Sequence, residues 1–236
     1  METLTYDSNT TVAEAKPSTR AAFIRKTYGH LAGAILFFMV IETFLVNSPN
    51  ARYMTESMLG GQWSWLIVLA AFMGVSYIAN KWAMMDTSPE LQYLGLGLFV
   101  VAESIIFLPL LYIADNYYDG IIGMAGFMTL LLFAGLTSIV FITKKDFSFL
   151  GSILTIGGFV ALGVILASIA FGFSLGIVFS GAMIVFAAGS ILYDTSNMMH
   201  HYNPNQHVAA SLSLFASVAL LFWYLVQFLI AFFVDD

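Results

Sequence analysis

The chain has 236 residues, of which 60% are hydrophobic and only 9% are charged. Soluble domains carry about 25% charged residues, so this composition excludes an ordinary soluble protein and indicates a chain whose solvent is lipid. The formal net charge of -6 gives no reason to expect nucleic-acid binding. Cysteine is absent, which excludes disulfides, zinc–thiolate sites and a thiol nucleophile.

Seven apolar runs have about the length of 20 residues that a membrane helix needs. They cover residues 28–46, 62–80, 91–114, 120–143, 149–170, 174–193 and 208–234. The sequence therefore predicts an all-α integral membrane protein, a seven-transmembrane-helix bundle over residues 21–236, embedded in a lipid bilayer. Residues 1–20 are polar and are expected to form a poorly ordered tail, with Ser18 or Thr19 capping a short amphipathic lead-in. Residues 47–61, with their Gly60-Gly61 pair, are expected to be a loop.

The lysines and arginines predict an orientation, because cytoplasmic loops are enriched in them. If the N-terminus lies in the cytoplasm, Arg52 is on an outer segment and the others are on inner segments: Lys16, Arg20, Arg25, Lys26, Lys81, Lys144 and Lys145. This asymmetry predicts a cytoplasmic N-terminus and an external C-terminus. Asp194 then lies at the cytoplasmic end of the sixth span.

Three carboxylates lie within or beside predicted spans. Asp194 follows Tyr193 at the end of the sixth run, where an ionisable residue either has a function or marks the helix end in the headgroup layer. Glu103 lies midway along the third span and must face the bundle interior, a partner or water, or be protonated. It either belongs to an ion or proton pathway or is held neutral in a packed core. Glu42 lies near the outer end of the first span and could reach the interface. Pro109 is expected to kink the third span just beyond Glu103.

The seventh span carries a polar stripe at helical spacing, formed by Ser213, Ser217, Tyr224 and Gln227. This stripe either faces a functional interior or serves close helix packing.

Three histidines, His200, His201 and His207, lie in the loop before the seventh span. They could sense protons or bind a metal, or they could simply be solvated. No phosphate-binding loop, zinc-protease motif or nucleophile elbow occurs, so no catalytic residue, no resident metal and no cofactor is expected.

Four segments of the chain resemble the Bax inhibitor-1 family of integral membrane proteins, also called the transmembrane Bax-inhibitor-motif family, and in particular its bacterial YccA-like branch. They are Arg25-Lys26-Thr27-Tyr28-Gly29-His30-Leu31, Phe107-Leu108-Pro109-Leu110-Leu111, Lys144-Lys145-Asp146-Phe147-Ser148-Phe149-Leu150 and Ile191-Leu192-Tyr193-Asp194-Thr195. The last of these is the most specific. With the length and the seven-span layout, the likeness covers nearly the whole chain from about Arg20.

The resemblance implies a bundle in which six helices surround a central seventh. It also implies a pH-sensitive cation leak, chiefly of calcium, in which two aspartates on the last two helices share a proton. Asp194 matches the first aspartate, whereas Ser217 stands at the position of the second. A serine cannot ionise, so a shared-proton carboxylate pair cannot form there.

Two functions follow from this resemblance. The first is a pH-sensitive leak of calcium ions or protons, with Asp194 as the gate, Glu103 as the mid-membrane site, and Tyr193, Ser213 and Ser217 beside the pathway. The second, implied by the YccA-like branch, is a non-transporting regulator in the bacterial inner membrane that binds the FtsH protease or a translocation component. A cytoplasmic N-terminal tail suits the second function, because a membrane protease needs an exposed segment to grip.

Overall fold

The computed structural model describes residues 10–61, 63–85 and 88–234, and for Val234 the backbone only. These residues form eight helices and no strand. The helices are α1 (Pro17–Val46), α2 (Ala51–Leu59), α3 (Ser64–Ala83), α4 (Pro89–Tyr117), α5 (Ile121–Thr143), α6 (Leu150–Phe171), α7 (Ile177–His200) and α8 (His207–Val234). All but α2 are long and apolar enough to cross a membrane, which confirms the predicted all-α, seven-span architecture.

Helix α8 lies at the centre of the bundle. It packs against α1, α3, α4, α5 and α7. Leu214, Leu221 and Val226 of α8 are completely buried. Helix α6, by contrast, packs mainly against α7, and of its residues only Ala161 and Ser168 are buried. The last helix is therefore central, as expected, while α6 lies at the periphery of the bundle.

The chain is folded before the predicted first span. Helix α1 begins at Pro17 with Lys16 as its N-cap residue, so the cap predicted at Ser18 or Thr19 is wrong. Proline at the first helical position suits a helix start, because its missing N–H would have no partner there. Residues 10–16, expected to be a poorly ordered tail, pack against the bundle through the fully buried Val12. The remainder of the predicted tail, residues 1–9, lies outside the described residues.

The loop predicted over residues 47–61 contains the short helix α2. Its two buried residues, Ala51 and Thr55, are four positions apart and so share one helical face, which packs towards α3 and α4. Gly60 ends this helix. The glycine pair therefore marks the helix terminus and not a continuous loop.

The sixth span extends further than predicted. Helix α7 continues through Asp194 to His200, so Asp194 lies inside the helix and not at its end. Thr195 and Ser196 are completely buried, and these polar residues extend the inward face of the helix by one more turn. Helix α4 also continues unbroken through Pro109 to Tyr117. The predicted kink at Pro109 stays a prediction.

Gly95 allows α3 and α4 to approach closely, and its replacement tests this contact. A Cβ atom at residue 95 would lie 2.6 Å from the Ala79 carbonyl oxygen and 2.8 Å from the Ala83 nitrogen. Because overpacking forces helices apart, we expect Gly95→Ala to lower the free energy of unfolding by about 1–3 kcal/mol. The measurement is denaturant unfolding of the purified protein in detergent micelles.

Gly97 provides a matched control in the same helix, because a Cβ there meets nothing within 4 Å. Gly97→Ala should be neutral or stabilising, since alanine is the better helix former by about 0.5–1 kcal/mol. Equal effects of the two substitutions would contradict the proposed close approach.

Candidate functional site

Asp194 joins the two last helices through a hydrogen bond. The Ser217 hydroxyl on α8 donates to the Asp194 carboxylate on α7 at 2.5 Å. Asp194 is partly buried, and Ser217 is buried. A carboxylate removed from water needs such donors, because an unpaired buried charge is costly. The residue that stands in place of the second aspartate therefore still binds the first one.

A cavity of about 580 Å³, called here the main cavity, extends from this hydrogen bond along α8. Glu103 of α4 and Asn80 of α3 line it together with Asp194 and Ser217. The polar stripe predicted on α8 lines the same cavity. Its members there are Ser213, Ser217, Leu220, Tyr224 and Gln227. The shared face inferred from helical spacing is thus confirmed, and it faces a space inside the bundle.

A second cavity, called here the vestibule, lies on the other side of Asp194 and also measures about 580 Å³. Tyr193, His201 and Tyr202 line it. Asp194 and Ser213 line both cavities, so they form the boundary between them. The vestibule is at the end of the bundle that carries Lys81, Lys144 and Lys145, which we call the lysine end.

Glu42 is buried within the bundle, and its predicted position near the membrane interface stays a prediction. It is 5% exposed, and neither carboxylate oxygen has a hydrogen-bond partner among the described residues. The reason is visible along α1, where buried side chains recur every three or four residues and Glu42 continues the series: Phe23, Thr27, Leu31, Ala34, Phe38 and Glu42. Glu42 is close enough to Glu103 for the two carboxyl groups to interact electrostatically. The two buried glutamates thus lie near each other in the bundle interior.

Residues 10–16, called here the N-terminal strap, are attached to the loop between α7 and α8. The Val12 N–H donates to the Tyr202 carbonyl at 2.8 Å, and the Asn203 side chain donates to the Thr10 carbonyl at 3.1 Å. Arg20 holds the strap by donating to the carbonyls of Val12 and Ala13. The strap therefore fixes the loop that lines the vestibule.

Tyr202 connects the strap to the boundary between the cavities. Its hydroxyl lies 3.0 Å from the Ser213 hydroxyl. Burial raises the pKa of Tyr202 to about 12, so this phenol keeps its proton at physiological pH. A continuous series of contacts thus runs from Val12 through Tyr202 to Ser213, next to Asp194.

Residues 144–149, called here the basic loop, are docked on the end of α7. The Asp146 carboxylate accepts a hydrogen bond from Ser196 at 3.3 Å and lies 3.2 Å from His201 Nε2. The Phe147 N–H donates to the Ser196 hydroxyl at 2.8 Å. His200, by contrast, bonds through Nδ1 to the carbonyl of Ser196 in its own helix. Of the two adjacent histidines, only His201 reaches both the vestibule and another element.

No sequence pattern singled out Asp146 or Tyr202. Asp146 is 55 residues from His201, and the contact of Tyr202 with Ser213 crosses a loop between two helices. A further cluster contains His207. His30, Tyr93 and His207 pack together, with 5.1 Å between the two imidazole centroids. Within the described residues, no three histidine or acidic side chains converge in a way that could hold a metal ion.

Comparison with known proteins places this geometry in context. The family model described as "Inhibitor of apoptosis-promoting Bax1" matches residues 20–233. An uncharacterized protein of Pseudomonas aeruginosa is 30% identical over 96% of both chains. Bax inhibitor 1 of Schizosaccharomyces pombe is 30% identical over 95% of this chain and 82% of its own length. The Golgi anti-apoptotic protein of Vaccinia virus is 28% identical over 95% of this chain and 91% of its own.

Docking of the basic loop should depend on pH through Asp146. The hydrogen bond from the Ser148 backbone N–H, and more weakly the contact with His201, lower the pKa of the Asp146 carboxyl group. The ionised Asp146 carboxylate therefore stabilises the turn of the basic loop through Ser148 and its docking on α7 through His201. This stabilisation is present above the usual aspartate pKa and is lost as pH falls through the lowered value. Docking should therefore be tighter at neutral pH than in acid.

A spin label on Lys145→Cys measures this docking, because the chain has no other cysteine. We expect the label to be less mobile near pH 7 than at a pH below the lowered pKa of Asp146, and Asp146→Asn to remove the difference. The same label on Asp119→Cys, at the opposite end of the bundle, is the control. A pH response that survives in Asp146→Asn would contradict the assigned contact.

Proposed function

This chain belongs to the Bax inhibitor-1 family of membrane proteins, and from that premise we propose that it is a pH-gated cation leak that passes calcium ions or protons. The observation that carries the proposal is the position of Asp194 between the main cavity and the vestibule. An ionisable group at that boundary can change the connection between the two cavities when it gains or loses a proton. The proposed gate is the hydrogen bond from Ser217 to Asp194.

The lining of the main cavity favours cations. Two carboxyl groups, those of Asp194 and Glu103, face it, and no lysine or arginine among the described residues lines either cavity. Asn80 and Gln227 add amide oxygens along the same space. Calcium is a hard cation that binds carboxylate, carbonyl and hydroxyl oxygens, so this set of groups suits its passage.

The direction of the pH response follows from the chemistry of the gate. A hydroxyl that donates to an ionised carboxylate makes a charge-assisted hydrogen bond, roughly twice as strong as a neutral one. Protonation of Asp194 converts the bond with Ser217 into a neutral one and loosens the link between α7 and α8. We therefore propose that acid opens the path and that ionised Asp194 keeps it closed.

We further propose that the lysine end of the bundle lies in the cytoplasm of a bacterial cell, with the protein in the inner membrane. The proposal is supported by the distribution of lysine and arginine, seven of which lie before or between spans on that side and one on the other. The vestibule would then open to the cytoplasm, and cytoplasmic acidification would reach Asp194 directly.

Calcium flux into dye-loaded liposomes, scanned from about pH 5 to 8, tests the proposed gate. We expect flux in the unmodified protein to rise as pH falls. Asp194→Asn should make flux insensitive to pH, because the amide cannot titrate. Ser217→Asp should reverse the response, since two carboxylates share a proton in acid and repel each other when both are ionised.

Ser190→Ala is the matched control for these variants. The Ser190 hydroxyl bonds to the Phe186 carbonyl within its own helix and lines neither cavity, so the substitution should leave the pH response unchanged. Flux no greater than that of protein-free liposomes at every pH would refute the leak.

The N-terminal strap favours a second candidate function. As a regulator, the protein would bind a membrane-anchored protease of the FtsH type through the residues that precede the strap. The supporting observation is that Val12 and Thr10 are attached to the loop at Tyr202 and Asn203. A partner that engages the segment before the strap could therefore act on the vestibule as well as be restrained by this protein.

Co-purification of the protease from bacterial membranes tests the regulator. Removal of residues 2–9 should abolish capture while it leaves the strap in place. Arg20→Ala, which removes the hydrogen bonds that hold the strap, should leave capture intact because the binding residues are still present. Undiminished capture after the truncation would exclude the tail as the binding segment.

A further inference from the structure

The main cavity has the form of a long slot parallel to the helices. It follows α8 from Ser213 to Gln227 and α3 from Trp65 to Asn80. A helix rises about 1.5 Å per residue, so the slot extends for about 20 Å, most of the hydrocarbon thickness of a bilayer. A path for a small ion does not require an apolar space of this length. The slot therefore suggests a ligand other than an ion.

One wall of the slot is open between neighbouring helices. Helix α3 lines one side of the opening. Ile165 of α6, Leu175 of the loop between α6 and α7, and Phe179 of α7 line the other side. Helix α3 packs against α2, α4 and α8, whereas α6 packs against α7. The principal helix contacts of the described residues therefore leave a seam between α3 and α6–α7. A seam between membrane helices faces the acyl chains of the bilayer.

The two halves of the slot differ in chemistry. Trp65, Leu69 and Phe72 of α3 face Trp223 and Phe179 across the half away from the lysine end. The Trp65 and Trp223 rings are stacked with 6.3 Å between their centroids. The half at the lysine end has a carboxylate, two serine hydroxyls and an amide, from Asp194, Ser213, Ser217 and Asn80. Glu103 also lines the slot between these halves, and Gln227 lines it at the far end. Polar groups thus occur along the slot but are most concentrated at the lysine end, where Asp194 lies.

This asymmetry selects one class of ligand. An alkyl chain matches the aromatic half. In the part of the chain that the structure describes, no cationic side chain lines the acidic end, which therefore favours a positively charged head. Anionic and zwitterionic phospholipid heads would bring a phosphate next to Asp194, and a neutral alcohol would leave the carboxylate without a counter-charge. A volume of about 580 Å³ is within the range of roughly 300–1,000 Å³ typical of small-molecule sites.

We propose that the slot binds a single-chain cationic amphiphile, a long-chain primary amine, whose ammonium group pairs with Asp194 while its alkyl chain lies between α3 and α8. The amine enters from the bilayer through the seam. Asp194 can accept the ammonium because Ser217 occupies only one of its two carboxylate oxygens. This site rests on the shape and charge of the slot alone and does not require the protein to conduct ions.

Tryptophan quenching provides the test, because Trp65 and Trp223 lie in the slot. The protein is reconstituted in phosphatidylcholine vesicles and titrated with a terminally brominated long-chain amine. The neutral alcohol and the anionic sulfate of the same chain length are compared. We expect half-maximal quenching by the amine at a membrane concentration about tenfold or more below that of the alcohol, the factor typical of a charge-assisted contact. Asp194→Asn should remove the preference for the amine.

Two further variants keep the test decisive. Asp146→Asn changes an exposed carboxylate outside the slot and should retain the preference. Ala216→Phe places a ring in the slot and should weaken quenching by amine and alcohol alike. Equal quenching by amine and alcohol in the unmodified protein, or a preference that survives in Asp194→Asn, would overturn the proposal. The quenching assay uses no ion gradient. It therefore tests the amine site independently of the proposed leak.

Discussion

The hydrogen bond between Ser217 and Asp194 is the interaction on which the site depends. It joins α7 to α8 where the main cavity meets the vestibule. A carboxylate is tolerated so deep in a bundle only when a donor or water satisfies it, and here one donor is a neutral hydroxyl. Because a hydroxyl can donate but cannot ionise, the charge state of the contact is decided by Asp194 alone. Under the proposed leak, a single titrating group takes the place of the proton-sharing aspartate pair that the family resemblance implies.

Two segments far apart in the sequence converge on the vestibule from the lysine end. The N-terminal strap reaches it through Tyr202, which also bonds to Ser213, and the basic loop reaches it through Asp146 and His201. Under the two proposed functions, the strap transmits the engagement of a partner before residue 10, and the basic loop transmits a change of pH. The leak and the regulator are therefore compatible proposals, because both act on the vestibule.

The sequence predicted the features that depend on local pattern. The lengths of the apolar runs predicted the seven spans. Helical spacing predicted that Ser213 and Ser217 share one inward face. Features that depend on tertiary contact were not predictable. The pairing of Asp146 with His201 joins residues whose separation carries no periodic signal. The sequence contained a signal for the burial of Glu42, because this residue continues the series of inward-facing positions along α1. Its position near the end of the span suggested an interfacial residue instead.

The central position of α8 has a consequence for how the protein assembles. Chains are made from the N-terminus, so α8 emerges after the seven helices that precede it, although five of them pack against it. Until α8 inserts, Asp194 lacks the Ser217 hydroxyl that later satisfies it, and five helices lack the partner they share. The contacts at the axis of the bundle therefore form after the helices that surround them have been made.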